Sequence, residues 1–306
     1  MRLAATAWTL VVAAGQPSPA RAQGVPGDSP LHQSALRPSG QNVIPIYDGW
    51  FENPDRSYTF CFGYFNLNTE EAVDVPLGPG NRLEPARYDG AQPTHFDPVP
   101  DPELTSPYRH HWCVFTVTVP EDFGSGDVVW TLATQGDTLT VPASLIPAYV
   151  LDEPASPGRY AVAPFLRLEE DTEPARGRQG VWSAPRRASV GEPLELTVWV
   201  EHPEPGSWLG WTKHQGPGSV TFGADELRLD SPRGAATTTV TFDRPGRYLL
   251  RVQAINDTEI RSNPTYGFEF HCCWTNGYVE VDVDPPVTES KQTGSVPRSA
   301  LLLSAL

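Results

Sequence analysis

Ser57-Tyr58-Thr59-Phe60-Cys61-Phe62-Gly63-Tyr64-Phe65-Asn66-Leu67-Asn68 decides the fold. Tyr58, Phe60, Phe62 and Tyr64 recur at every second residue, the period of a strand and not of a helix. The stretch therefore predicts a central β-strand, aromatic on one face and carrying Cys61 on the other. Just before it, Glu52-Asn53-Pro54-Asp55-Arg56 has turn chemistry. Pro54 fixes φ, while Asn53 and Asp55 bond their own backbone. So short a turn makes residues 43–51 a strand antiparallel to the aromatic one.

Further along, residues 72–75 predict a short third strand. Residues 76–100 form a long loop rich in Gly and Pro, with one short strand near 94–96. Residues 108–119 alternate strongly: His111, Cys113, Phe115 and Val117 share one face, and Trp112, Val114, Thr116 and Thr118 the other. Residues 128–133 and 138–145 pair as a hairpin about Thr134-Gln135-Gly136-Asp137. Strands at this spacing predict a β-sandwich over residues 43–150.

Residues 151–187 are rich in Pro, Glu and Arg and read mostly as linker, with an edge strand at 164–168. A second sandwich follows over 188–284. Leu194, Leu196, Val198 and Val200 alternate with Glu195, Thr197, Trp199 and Glu201, the pattern of a half-buried strand. Further strands are expected at 208–213, 219–222, 236–242, 247–254 and 277–283. The fold class is all-β, two sandwiches in tandem. Residues 23–42 read as a flexible spacer and 285–306 as a disordered tail. The 33 Pro and 26 Gly agree with short strands and turns and argue against long helices.

The first 22 residues read as a signal peptide. Arg2 is a short basic region, residues 3–14 are apolar, and Ala20-Arg21-Ala22 fits a small-x-small cleavage site. The apolar run falls short of the roughly 20 residues needed to cross a bilayer, so no membrane span is expected. The expected location is outside the cytoplasm, periplasmic or extracellular. The formal net charge is -15, from 22 basic and 37 acidic residues. Cleavage after Ala22 removes Arg2 and Arg21 and leaves 20 against 37, or -17. Such a field repels nucleic acid and anionic membranes.

An exported chain with four cysteines is expected to form disulfides, and three pairings are open. Cys61 and Cys113 fall mid-strand in one sandwich. If those strands face each other, a bridge closes residues 61 to 113, worth roughly 4 kcal/mol by chain entropy; the competing reading is two buried thiols. Cys272 and Cys273 are adjacent and on a regular strand would point opposite ways, which disfavours the crossed pairings. A vicinal Cys272–Cys273 bridge needs a turn-like peptide, and Thr275-Asn276-Gly277 supplies turn chemistry beside it.

The second sandwich resembles the PKD and REJ-like modules, a family of immunoglobulin-like sandwiches. The resemblance is carried by Val190-Gly191-Glu192-Pro193-Leu194-Glu195-Leu196, by residues 210–222 with Trp211, and by Phe242-Asp243-Arg244-Pro245-Gly246-Arg247-Tyr248-Leu249-Leu250-Arg251-Val252. It implies an immunoglobulin-like sandwich for this second domain, with Trp211 between the sheets and Tyr248 bonding back across a corner; with the first sandwich, the expected fold is two tandem immunoglobulin-like β-sandwich domains. The region through Cys272-Cys273-Trp274 departs from that pattern. The first sandwich resembles uncharacterised exported bacterial proteins in Tyr47-Asp48-Gly49-Trp50-Phe51-Glu52-Asn53-Pro54-Asp55 and Phe62-Gly63-Tyr64-Phe65-Asn66. Neither resemblance implies an activity.

Catalytic motifs are absent. There is no Gly-x-Ser-x-Gly, phosphate loop or dinucleotide fingerprint. His110 and His111 are neighbours on a strand and face opposite ways, poor geometry for one metal. His95, His202, His214 and His271 are scattered, and Glu169-Glu170-Asp171 lies in the linker. No cofactor is expected; Ca²⁺ at Asp225, Asp230 and Asp257 is the one candidate, against plain surface acids. Trp50, Trp208 and Trp274 fall near strand ends or turns, where indole faces can stack on a sugar or a protein; the competing reading is core packing. The expected function is an exported non-enzymatic binding or structural module holding a protein or glycan partner. The alternatives are a hydrolase with its site in the 76–107 loop, or an accessory scaffold of an envelope complex.

Overall fold

A computed structural model of the chain describes residues 37–98, 110–151, 162–256 and 273–286. The signal segment, most of the spacer, nearly all of the tail, Asp257, His271 and Cys272 lie outside the described residues.

The aromatic stretch forms β2 (Tyr58–Asn66), the middle strand of a sheet. Antiparallel neighbours are β1 (Val43–Glu52) and β6 (His110–Val119). Facing it is a sheet of β4 (Asn81–Glu84), β7 (Val128–Thr134) and β8 (Asp137–Ala143). Phe60, Phe62 and Tyr64 are buried in a core with Phe115, Val117, Trp130 and Leu132. The Phe62 ring stacks on Phe115 at 5.0 Å and meets Trp130 edge-on at 6.2 Å. The β7–β8 hairpin turns through Gln135 and Gly136, both at positive φ (51° and 87°), as two-residue hairpins require. Between the sheets' ends, β3 (Val73–Asp74) pairs with β5 (His95–Phe96). The sequence reading missed β4, because Leu83 is its only apolar residue. Asn81 is nonetheless fully buried: its amide donates to the Val75 and Pro93 carbonyls, and its oxygen accepts Trp130 Nε1.

Two irregularities reshape the first sheet. In β1 the register slips between Tyr47 and Gly49, leaving Asp48 outside the ladder. In β6, Phe115 pairs with Phe62 and His111 with Tyr64, so three residues of β6 oppose Gly63 alone. Strict alternation puts Cys113 on the Phe115 face. The bulge, with Cys113 at φ 40°, instead turns it to the other face. There it is disulfide-bonded to Cys61, Cα–Cα 4.8 Å. The bridge thus joins neighbouring strands of one sheet rather than two facing ones.

In the second sandwich one sheet runs β14 (Val220–Phe222), β16 (Arg233–Phe242), β12 (Leu194–Glu201), β9 (Phe165–Arg167). The other runs β10 (Val181–Trp182), β18 (Thr275–Asp284), β17 (Gly246–Asn256), β13 (Ser207–Gln215), β15 (Glu226–Leu229). A further strand, β11 (Arg186–Ser189), also pairs with β18, in parallel. Leu196, Val198 and Val200 of β12 are buried between the sheets, as their alternation requires. Trp211 lies in the same core, and the Tyr248 hydroxyl donates to the Arg244 carbonyl at 2.9 Å. That hydrogen bond is the tyrosine corner of immunoglobulin-like sandwiches.

Two segments read as connectors are built in. The described part of the expected linker carries β9, at the edge strand expected there, and also β10 and the start of β11, and Ala163, Leu166, Leu168 and Arg178 are buried. Its apolar residues are too few, and too widely set among Glu and Arg, to show a period. Of the expected spacer, residues 37–42 are pinned through side-chain amides. Asn68 Oδ1 accepts the Gln41 backbone N–H at 2.7 Å, and Asn42 Nδ2 donates to Asp137 at 2.7 Å.

The sandwiches belong to one compact unit and are joined by a polar seam. The backbone N–H of Thr94 donates to the His214 carbonyl at 2.8 Å. Gln215 Nε2 donates to the carbonyls of Gly90 (2.8 Å) and Gln92 (2.7 Å). The Tyr278 hydroxyl donates to the Val114 carbonyl at 2.9 Å, and Asn276 Nδ2 to that of Cys113 at 3.2 Å.

Candidate functional site

At this seam lies a cavity of about 370 Å³. His110, His111 and Trp112 of β6 form one wall; Trp208, Arg228, Arg251, Gln253, Ile255 and Trp274 of the second sandwich form the other. The β6 wall is set by the bulge. Asp48 Oδ2 accepts the Cys113 backbone N–H at 2.6 Å, and Asp48 Oδ1 lies 2.7 Å from His110 Nε2. Burial raises the Asp48 pKa, and the bond to His110 opposes that rise. The His110 ring stacks on Trp112 at 3.7 Å, and the His111 ring on Tyr64 at 4.4 Å.

His111 is held neutral: burial pushes its ring down to about 4. It also hydrogen-bonds the Asp97 backbone, while its Nε2 has no hydrogen-bond partner among the described residues. On the opposite wall Arg251 is only 5% exposed, and neither its Nε nor its Nη1 has a hydrogen-bond partner among the described residues. Asp97 feels the Arg251 charge, but its carboxylate bonds His95 at 2.9 Å. Trp274 is buried beneath the Arg178 guanidinium, 4.9 Å from the ring centroid, and its Nε1 has no hydrogen-bond partner.

Of the three tryptophans singled out by sequence, Trp208 and Trp274 meet in this cavity, and Trp50 does not line it. Trp50 meets Tyr58 edge-on at 5.4 Å and donates Nε1 to the Ile146 carbonyl at 2.8 Å, tying down the segment after β8. Cys273 is buried at φ 72° and disulfide-bonded, its partner lying outside the described residues. Asp225 and Asp230 are exposed, and the described residues hold no cluster of three or more His, Cys, Asp or Glu suited to a metal.

Sequence reasoning missed Arg251, although a signal existed. Tyr248, Leu250, Val252 and Ala254 fill the second core, so Leu249, Arg251, Gln253 and Ile255 form the other face of β17. A face half apolar and half polar on a central strand is a face that something covers. The cavity role of His111 and Trp112 was hidden by the bulge.

A second titratable group sits in a neighbouring hollow of about 490 Å³ with Lys213 and Ser219. His95 Nδ1 lies 2.8 Å from Asp74 and Nε2 2.9 Å from Asp97. Burial lowers its pKa, but the two carboxylates outweigh that and raise it to about 9. The imidazolium therefore has no free lone pair at neutral pH and cannot serve as a general base. Lys213 Nζ reaches Asp74 at 2.9 Å, so this cluster latches one sandwich to the other. In the described part of the 76–107 loop, Asp89 Oδ1 accepts the Leu83 backbone N–H and Gln92 Nε2. Those polar groups shape the loop.

No family model matches the chain, and no curated protein matches it. Among solved structures, the D0-D1 domain of intimin is similar at 14% identity, over 79% of this chain and 98% of that one, with a TM-score of 0.24. A tandem of titin immunoglobulin domains is similar at 8% identity, over 80% and 100%, with a TM-score of 0.22. An MSP family member of C. elegans is similar at 8% identity, over 33% and 92%, with a TM-score of 0.26. At these values the likeness assigns the chain to none of them.

Proposed function

We propose that the chain is an exported, non-enzymatic binding module that holds a glycan in the cavity between its two sandwiches. The observation that carries this reading is the meeting of Trp112, Trp208 and Trp274 around one space of about 370 Å³. Indole faces in a concave site of this size suit the C–H faces of sugar rings. Export is supported by the leading apolar segment and by the Cys61–Cys113 bridge, which needs an oxidising compartment. A Cys272–Cys273 bridge belongs to the same proposal, as does cleavage after Ala22.

The test is a glycan array followed by titration calorimetry on the full chain. A binding sugar should lose at least tenfold in affinity in Trp208→Ala, a half-buried position whose truncation removes a stacking face. Unchanged affinity in that variant would refute the site. N-terminal sequencing of protein recovered outside the cytoplasm should start at Gln23.

A further inference from the structure

We infer that the ligand this cavity takes is a carboxylated sugar, a uronic acid or a short oligomer of one, whose carboxylate is received by Arg251. The inference rests on the glycan reading and narrows it. Arg251 is 5% exposed with two N–H-bearing nitrogens, Nε and Nη1, unmet by any hydrogen-bond acceptor among the described residues. A buried charged donor left unmet is costly, so such a group points to an acceptor that arrives from outside. Nε and Nη1 lie on different edges of the guanidinium, and a carboxylate oxygen meets either with a charge-assisted hydrogen bond, roughly twice as strong as one to a hydroxyl or a neutral amide.

The other lining groups restrict what carries the carboxylate. His111 is neutral and engaged with the Asp97 backbone, and its Nε2 has no hydrogen-bond partner. With the proton on the other nitrogen, Nε2 is an acceptor, which suits a hydroxyl and not a second anion. Trp274 Nε1 is a further donor without a hydrogen-bond partner. Trp112 and Trp208 supply flat apolar surface. A neutral sugar would cover the indoles and offer Arg251 only hydroxyl acceptors, leaving its charge unpaired. An inorganic anion would meet Arg251 and leave the indoles bare. A ring bearing both hydroxyls and a carboxylate satisfies all of them. About 370 Å³ is at the small end of ligand sites, room for one or two sugar units.

The experiment is calorimetry on the full chain with glucuronate, digalacturonate, glucose, acetate and sulfate. The uronates should bind at least tenfold more tightly than glucose, acetate or sulfate. Arg251→Gln should lose at least tenfold for the uronates and much less for glucose. Circular dichroism and thermal unfolding report whether that variant folds; if it does not, the comparison of uronate with glucose on the unaltered chain decides alone. Equal affinity for uronate and glucose, with both lost in Trp208→Ala, overturns the carboxylate while the glycan reading stands. Acetate or sulfate binding as tightly as uronate overturns it in favour of a bare anion site. Binding of no sugar at all sinks both readings.

Discussion

A Cβ placed on Gly63 would collide with the His111 carbonyl oxygen, lie 2.5 Å from Asp48 Oδ2 and 2.8 Å from His110 Nε2. The missing side chain is thus what lets the three-residue bulge of β6 close over β2 around a buried carboxylate. Neither the backbone nor Asp48 can retreat, since Asp48 also holds the Cys113 N–H at 2.6 Å. Gly63→Ala is therefore expected to destabilise the chain by about 1–3 kcal/mol, as overpacking in a filled site does. Urea unfolding measures this, and a change within a few tenths of a kcal/mol would show the bulge to be pliable. The same cluster explains why the cavity wall escaped sequence reasoning. A period-two pattern is read assuming an unbroken ladder, and Asp48, Cys113 and His111 lie where the ladder breaks.

Among the elements, those whose side chains alternate against a core were legible from sequence alone. β12 buries alternate residues, and the alternate sets Phe60, Phe62 and Tyr64 of β2 and Tyr248, Leu250, Val252 and Ala254 of β17 fill the two cores. Their apolar sets are long enough to fix a face. β4, β10, β11 and β15 have two to four residues, and tertiary pairing rather than their own pattern makes them strands. Asn81 is held in β4 by three hydrogen bonds to groups that local sequence does not announce. The tyrosine corner was legible, because Pro245-Gly246 marks the turn that Tyr248 must span. Tyr248→Phe deletes the donor to the Arg244 carbonyl and is expected to cost about 1 kcal/mol, leaving the β-sheet circular dichroism unchanged. An unfolding midpoint identical to the parent's would mean that the corner is ornamental here.

For the molecule as a whole, the junction between the sandwiches is a titratable structure. Burial opposes the charge on His95, but Asp74 and Asp97 raise its pKa from 6.5 to about 9. Folded chain holds that proton in a range where unfolded chain has lost it. The resulting stability is complete below pH 6.5 and is lost as pH rises to about 9. The buried His111 and His214 act in the opposite sense, held down to about 4 and about 3. Below pH 6.5 the unfolded chain takes up protons that these two refuse, so their contribution falls as pH drops towards 4. Stability should peak near pH 6.5 and decline by roughly 2–3 kcal/mol towards pH 9. His95→Gln should flatten the alkaline limb only. An alkaline limb that survives the substitution would assign it to another group.

Cys113 stands at the crossing of these scales. Its sulfur is tied to Cys61, its N–H to Asp48 and its carbonyl to Asn276 of the second sandwich, and the next residues back along the chain are Trp112 and His111. One covalent bond therefore braces both a wall of the binding space and a rivet of the seam. Where thiols stay reduced, that brace is missing, and the cavity wall is expected to be less firmly held. On the proposed reading, ligand capture would then depend on arrival in an oxidising compartment, a form of quality control written into a single pair of sulfur atoms.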